Sequence, residues 1–310
     1  MSPMPLAGLR LRYDAPLTAC PMCGSGTIGY FDHDFERRTM FRCRECETKF
    51  MNPQYSDECL EEIYSQYITE LPGDDAQRYR RRTISKTDDL RLVGRHIRPG
   101  KLLSIGCGDG LELELAKGFG WDAEGYDVDL ETTRRVSERL GMPVHTGDFF
   151  DLRLPAESYD CIFMDQVLEH PKTPQLYLHE VHRLLRPGGV LFIGCPNIYS
   201  ATMFMQTFLG RLGLKRRRGR HYGMFHHLFY YAPWQLARVL EQHYHFSVEV
   251  TEGDPLCGEG RRKFEGTLLD GLANTLCRRL PFLEGTFRLI ARKVAVERAP
   301  ARRVPELVAA

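Results

Sequence analysis

The chain has 310 residues, a 43% hydrophobic fraction and a formal net charge of +1, from 42 basic and 41 acidic residues. That length suits one large α/β domain plus a small appendage, and the balanced charge excludes a chain-wide attraction to nucleic acid or membrane. No apolar run reaches transmembrane length, and residues 1–18 lack a signal-peptide core. A cytoplasmic location is therefore expected, with the ten cysteines mostly reduced or metal-bound.

Residues 1–55 carry two C-x2-C pairs, Cys20/Cys23 and Cys43/Cys46, separated by 19 residues. This is the spacing of a four-thiolate zinc ribbon, in which each pair forms a knuckle converging on one ion. Ile28, Tyr30, Phe31, Phe35 and Phe41 between the pairs suit a small hairpin. A segment of roughly 50 residues cannot bury enough surface to fold alone, and zinc supplies the deficit. Four thiolates leave no open coordination position, so the site is structural. Cys59, Cys107, Cys161, Cys195, Cys257 and Cys277 show no ligand spacing and read as small buried hydrophobes.

Residues 56–98 form a helical linker or lid. Ser56 caps a helix to Ile68, with Leu60, Ile63, Tyr64 and Tyr67 on one face; Pro72-Gly73 breaks it. A second helix is predicted over 74–97, with Arg78, Arg80, Arg81 and Arg82 clustered on it.

Strands and helices then alternate over residues 99–295, which implies a parallel sheet. Strands are predicted at 102–105, 123–128, 144–146, 159–164 and 190–195, and helices at 111–119, 130–140 and 175–185, with Gly188-Gly189 turning into the fifth strand. An aromatic, basic insertion at 197–229 interrupts the alternation. A helix at 233–243, with Pro233 in its first turn, and strands at 246–250 and 287–294 complete the domain. The tail, 296–310, is Ala/Pro/Arg-rich and expected to be loose.

The first strand runs into Gly106, Gly108 and Gly110 and then directly into a helix. A strand, a glycine turn and a helix make a nucleotide-binding element, because glycine lets the backbone approach a ligand closely. The spacing G-x-G-x-G departs from the dinucleotide pattern, since Leu111 holds the place of its third glycine. It favours one adenosine-bearing ligand without a pyrophosphate. Such a nucleoside needs a carboxylate for its ribose hydroxyls at the end of the second strand, where Asp127 falls, followed by Asp129. Asp148, after the third strand, can accept from an adenine amino group, with Phe149 against the ring. Asp165 and Gln166 end the fourth strand. A single Asp here could cap a helix; four such positions at one rim point to a ligand.

These residues resemble the class I S-adenosylmethionine-dependent methyltransferases over about residues 100–295. The resemblance rests on Ile105-Gly106-Cys107-Gly108-Asp109-Gly110, Gly125-Tyr126-Asp127, Gly147-Asp148, Ser158-Tyr159-Asp160-Cys161-Ile162, Val167-Leu168-Glu169-His170 and Leu185-Arg186-Pro187-Gly188-Gly189. It implies a Rossmann-like, seven-stranded α/β sheet with an antiparallel last strand. It further implies S-adenosylmethionine as cofactor, with Asp127 on the ribose, Asp148 and Phe149 on the adenine, and the glycine turn on the methionine part. Ser104 departs from the pattern, which has an acidic residue there for the methionine amino group. The cysteine ribbon followed by Phe50-Met51-Asn52-Pro53 is similar to bacterial methyltransferases of glycan and secondary-metabolite pathways.

Methyl transfer from a sulfonium is an in-line displacement, so a hydroxyl acceptor needs a base, and histidine suits that role. The candidates are His170, directly after the fourth strand, and His227, in a segment that resembles acceptor-pocket linings; His221, Tyr222 and His226 are nearby. Some quinone-pathway relatives bind a divalent metal through Glu-x-x-Glu-His, but Gln166 replaces the first Glu, which argues against that ion. The insertion is the expected acceptor lid, with Met203, Phe204, Met205 and Phe208 as apolar contacts. Lys215, Arg216, Arg217, Arg218 and Arg220 would clamp a phosphate- or carboxylate-bearing acceptor. The expectation is O-methylation of a small molecule or glycan. An RNA methyltransferase would need a steep salt dependence of RNA binding, which the neutral charge disfavours. A non-catalytic partner would bind the cofactor without turnover. An NAD-dependent oxidoreductase is disfavoured by the glycine spacing.

Overall fold

The computed structural model describes residues 9–33, 38–70, 76–212, 226–253, 280 and 285–294. The basic run 215–220, the neighbouring His221 and Tyr222, and the tail from residue 296 lie outside these residues. No helix among those described is long and apolar enough to cross a membrane.

The N-terminal part forms strands β1 (Ile28–His33), β2 (Thr39–Cys43) and β3 (Lys49–Met51). Helices α1 (Asp57–Glu70) and α2 (Ala76–His96) follow. Ser56 caps α1 as expected, its Oγ accepting from the Cys59 amide at 3.3 Å.

The α/β part runs β4 (Lys101–Ile105), α3 (Leu111–Gly118), β5 (Asp122–Tyr126), α4 (Leu130–Leu140), β6 (Val144–His145), β7 (Tyr159–Asp165), α5 (Pro174–Leu184) and β8 (Leu185–Pro196). Then come α6 (Ala201–Arg211), β9 (Phe229–Tyr230), α7 (Pro233–His243), β10 (Phe246–Gly253) and β11 (Thr286–Lys293). Seven strands form one sheet in the order β10-β11-β8-β7-β4-β5-β6. Strands β4 to β8 pair in parallel, and β11 lies antiparallel between β8 and β10. The sequence order reverses between β4 and β7, and open parallel sheets bind ligands at the carboxyl ends of their strands at such a switch point.

Two features differ from the sequence expectation. Strand β8 starts at Leu185, because Leu185 already pairs with Tyr159 before the register jumps to Cys161 and Val190. Gly188 absorbs that jump at φ 77°. The second difference joins the two parts of the chain. Strand β9, from the end of the insertion, pairs antiparallel with β3, making a four-stranded sheet β1-β2-β3-β9. Helix α7 reinforces the junction: Gln235 donates to the Cys46 carbonyl (3.1 Å) and to Thr48 (2.7 Å), and Tyr244 donates to the Met22 carbonyl. Met22, Met40, Phe50, Leu178, Leu228 and Phe229 share one continuous buried core.

Candidate functional site

The glycine turn divides by role. A Cβ on Gly106 would run into Val167, and one on Gly110 would overlap Val136, so both are required by packing. Gly108, at φ 50°, faces open space: a Cβ added there would meet nothing within 4 Å. It is the position where a ligand can lie against bare backbone. Asp127 braces this turn from the end of β5. Its two oxygens accept from the Gly108 amide (2.8 Å) and the Asp129 amide (3.1 Å). A carboxylate has about four lone-pair sites, so Asp127 keeps capacity for a pair of ligand hydroxyls. Asp129 is committed differently: it caps α4, accepting from the Thr132 amide at 3.0 Å.

Asp148 is exposed at the same rim, with Oδ1 accepting from the Phe150 amide at 2.8 Å. Phe149 is only 2% exposed. Its ring stacks on Tyr177 (5.4 Å, 2° between planes) and lies 4.9 Å from Tyr126. It therefore supports the rim from beneath, while Val128, 73% exposed beside Asp127, is an apolar side chain open to a base. Sequence reasoning misses Val128; its place between two rim aspartates is the signal that could find it.

Position 104 carries no acid, but a buried carboxylate lies against it. Ser104 is fully buried and donates to Glu112 Oε1 of α3 at 2.7 Å. Lys86 of α2 lies between Glu112 (3.5 Å) and Asp165, which it contacts more closely. Burial alone would lower the Lys86 pKa; Asp165 and Glu112 outweigh it and hold the ammonium above its ordinary range. Burial raises Glu112, an effect Lys86 partly offsets. Helix α2 is held in place by buried Arg288 of β11, bonded to Asp88 (2.7 Å) and Asp89 (2.9 Å), and Arg82 of α2 reaches Asp109 in the glycine turn at 2.6 Å. Asp165 fits only because residue 194 is glycine, since a Cβ there would overlap its carboxylate. Gln166 turns out of β7 with φ 57°, its amide bonded to the Gly194 carbonyl at 2.8 Å.

Beyond β7 the chain brings together three histidines. The rings of His170, His226 and His227 lie 4.9 to 5.1 Å apart, and one ligand nitrogen from each falls within 4.8 Å of the others. Tyr64 of α1 contacts His170 Nδ1 through its hydroxyl at 3.2 Å. The pair His226-His227 is delivered by β9: the Leu228 and Phe229 amides both donate to the Glu169 carbonyl, at 2.9 and 3.1 Å. Burial lowers the pKa of His170 to about 4 and that of His226 to about 3, and pushes His227 well below its ordinary value. All three are neutral near pH 7. Glu169, 1% exposed, lies with Oε1 3.9 Å from His170 Nε2, and burial raises its pKa to about 8. Neutral imidazoles at this spacing can take up a proton or ligate a transition metal.

The four cysteines also converge. Cys20 and Cys46 sulfurs are 3.6 Å apart, Cys23 and Cys43 sulfurs 3.7 Å, and all four fall within 4.8 Å. A tetrahedral ion with metal–sulfur bonds of about 2.3 Å requires sulfur separations of about 3.8 Å, so this donor set fits zinc. Cys59, Cys107, Cys161 and Cys195 are buried.

A family described as a methyltransferase domain matches residues 76–249, more than half of the chain. The chain belongs to this methyltransferase-domain family. Its sequence is 34% identical over 145 residues to an uncharacterised 37.1 kDa transposon protein of Streptomyces fradiae, covering 44% of this chain and 40% of that one. It is 32% identical over 108 residues to a probable S-adenosylmethionine-dependent methyltransferase of Mycolicibacterium smegmatis (34% and 40% covered). It is 30% identical over 114 residues to a ubiquinone biosynthesis O-methyltransferase of Parvibaculum lavamentivorans (34% and 45% covered). The chain thus spans less than half the length of these relatives. Among solved structures, Burkholderia thailandensis 1,6-didemethyltoxoflavin-N1-methyltransferase, holding its substrate and S-adenosylhomocysteine, shares the fold. The TM-score is 0.51 at 17% identity, over 81% of this chain and 98% of that one.

Proposed function

We propose that the chain transfers the methyl group of S-adenosylmethionine to a hydroxyl of a small-molecule or sugar/glycan acceptor. The observation that carries this reading is that two sites follow neighbouring parallel strands at the β4/β7 switch point: an open backbone cradle at Gly108, braced by Asp127, after β4, and a histidine cluster that includes His170 after β7. Asp127 takes the ribose hydroxyls, Asp148 and the Phe149 segment the adenine edge, and Val128 its face. Gly106–Gly110, Asp165, Gln166 and the Glu112 carboxylate line the methionine end. When bound, the cofactor supplies an electrophilic sulfonium methyl.

The acceptor is oriented by Tyr64 and the three histidines. His170 takes the hydroxyl proton, His227 being the second choice. Similarity to a ubiquinone biosynthesis O-methyltransferase supports oxygen as the acceptor atom. The Cys20, Cys23, Cys43 and Cys46 set holds a structural zinc ion, and through β3 and β9 the ribbon positions His226 and His227. Incubation with methyl-labelled S-adenosylmethionine and cell extract, followed by mass spectrometry of the labelled product, tests the reading. A labelled hydroxyl is expected; cofactor binding with no acceptor labelled would leave a binding protein, not an enzyme.

A further inference from the structure

The two segments that carry His170, His226 and His227 are pinned to each other through their backbones. The His170 amide donates to the Val167 carbonyl (3.0 Å), which folds the chain back directly after β7. The Leu228 and Phe229 amides hold the Glu169 carbonyl, the Tyr230 hydroxyl donates to the His227 carbonyl (2.7 Å), and the Met51 amide donates to the Leu228 carbonyl (2.8 Å). The backbone next to each ring is therefore fixed by the large sheet and by the ribbon. Beside the rings lies Glu169, 1% exposed. Its Oε2 accepts from the Cys195 thiol at 3.6 Å. Among the described residues its Oε1 meets no hydrogen-bond donor, and His170 Nε2 stands 3.9 Å away. A buried carboxylate oxygen without a donor is costly to keep, and a cation brought against it removes that cost.

We propose that His170, His226 and His227 form a binding site for a divalent transition-metal ion. One nitrogen from each ring already falls within 4.8 Å of the others. Metal–nitrogen bonds of about 2.1 Å place ligand nitrogens roughly 3 to 3.4 Å apart. Rotation of the rings about their soft second torsion covers the difference, because the backbone is already in place. Imidazole nitrogen selects ions such as zinc, cobalt and nickel over magnesium and calcium, which prefer oxygen. Three protein ligands leave a coordination position open, whereas the four thiolates of the ribbon saturate theirs. The charge of buried Arg38 acts on His226 and His227 and opposes a cation there; the Glu169 carboxylate beside His170 offsets it. The set shares only His170 with the Glu-x-x-Glu-His pattern, which Gln166 interrupts. The ion site does not rest on the methyl-transfer reading. Where both hold they compete, because a nitrogen that binds the ion cannot take a proton from the acceptor.

The test is titration of cobalt(II) into the full, untagged chain after loading with one equivalent of zinc, which such thiolates hold more tightly than cobalt. One further ion per chain is expected. It should show the visible absorption of nitrogen-bound cobalt without the near-ultraviolet band of a cobalt–thiolate bond, and paramagnetically shifted imidazole resonances in the proton NMR spectrum. An excess of magnesium should leave the cobalt in place. H170N, H226N and H227N should each weaken binding at least about tenfold, with circular dichroism and melting temperatures establishing that they fold. Absence of a further ion on the folded native chain overturns the proposal, as do an absorption that reports only cobalt–thiolate bonds, displacement by magnesium, and undiminished binding by the folded variants. Where a variant does not fold, the native chain decides alone: cobalt loading that shifts no imidazole resonance overturns the proposal. Binding is read without cofactor or acceptor, so its failure and a failure of methyl transfer are separately visible.

Discussion

The proposed donor site and the proposed acceptor site are built in different ways. On the donor side each residue follows its own strand: the glycine turn follows β4, Asp127 follows β5, Asp148 follows β6, and Asp165 ends β7. The histidine cluster proposed for the acceptor is assembled from elements far apart in the chain: Tyr64 from α1, His170 after β7, and His226-His227 ahead of β9, whose partner β3 belongs to the cysteine ribbon. A site made of strand ends inherits the rigidity of its sheet. A site closed by a distant strand depends on whatever holds that strand.

Removing the zinc ion proposed for the four cysteines should separate the two sites most sharply. Zinc binding to such sites is worth on the order of 10–16 kcal/mol at neutral pH, so chelation or Cys46→Ser should unfold the ribbon. Methyl transfer should then fall by about two orders of magnitude or more, the loss expected when a positioned base is displaced. Affinity for S-adenosylhomocysteine should change little. Full turnover by the stripped protein would show that the ribbon does not position the histidines.

A more local disruption is His170→Ala, expected to lower kcat on the order of 10²–10⁴-fold at unchanged cofactor affinity. His227→Ala tests the second choice by the same kinetics. On the donor side, Glu112→Gln removes one of two carboxylates from buried Lys86. It should lower unfolding free energy by roughly 1–3 kcal/mol in urea titration, and weaken cofactor binding without touching the histidines.

A further effect is in pH dependence. His170 titrates at about 4 in the fold against 6.5 as an ordinary histidine, so between these values the unfolded chain binds more protons and stability rises with pH. His226, at about 3, acts in the same direction. Glu169, raised from 4.5 to about 8, acts oppositely: its contribution is present below 4.5 and is lost as pH rises through 8. Melting temperature should therefore rise from about pH 4 to 6.5, and His226→Asn should flatten that rise.

The same contrast explains what can be read from the sequence. Strand ends, glycine turns and C-x2-C pairs are signalled within a few residues, so the sheet, the donor rim and the four sulfurs are legible. His170 and His227 are legible as residue types, but their meeting is not, because it depends on β9 pairing with β3 over a long sequence separation, from Phe50 to Phe229. The approach of Glu112 to Ser104 is hidden for a related reason: it shows only when the helix after the turn is folded back on β4. Phe149 reads as a ring for adenine because it follows Asp148; burial against Tyr177 cannot be seen from spacing alone.

Calorimetric titration of S-adenosylhomocysteine into the native chain, Asp127→Ala and His170→Ala bears hardest on the methyl-donor site. The native chain and His170→Ala should bind alike, and Asp127→Ala should bind about a hundredfold more weakly, the loss of two hydrogen bonds to a charged acceptor. Equal binding by all three, or binding of NAD in place of S-adenosylhomocysteine, would contradict a methyl-donor site at the glycine turn.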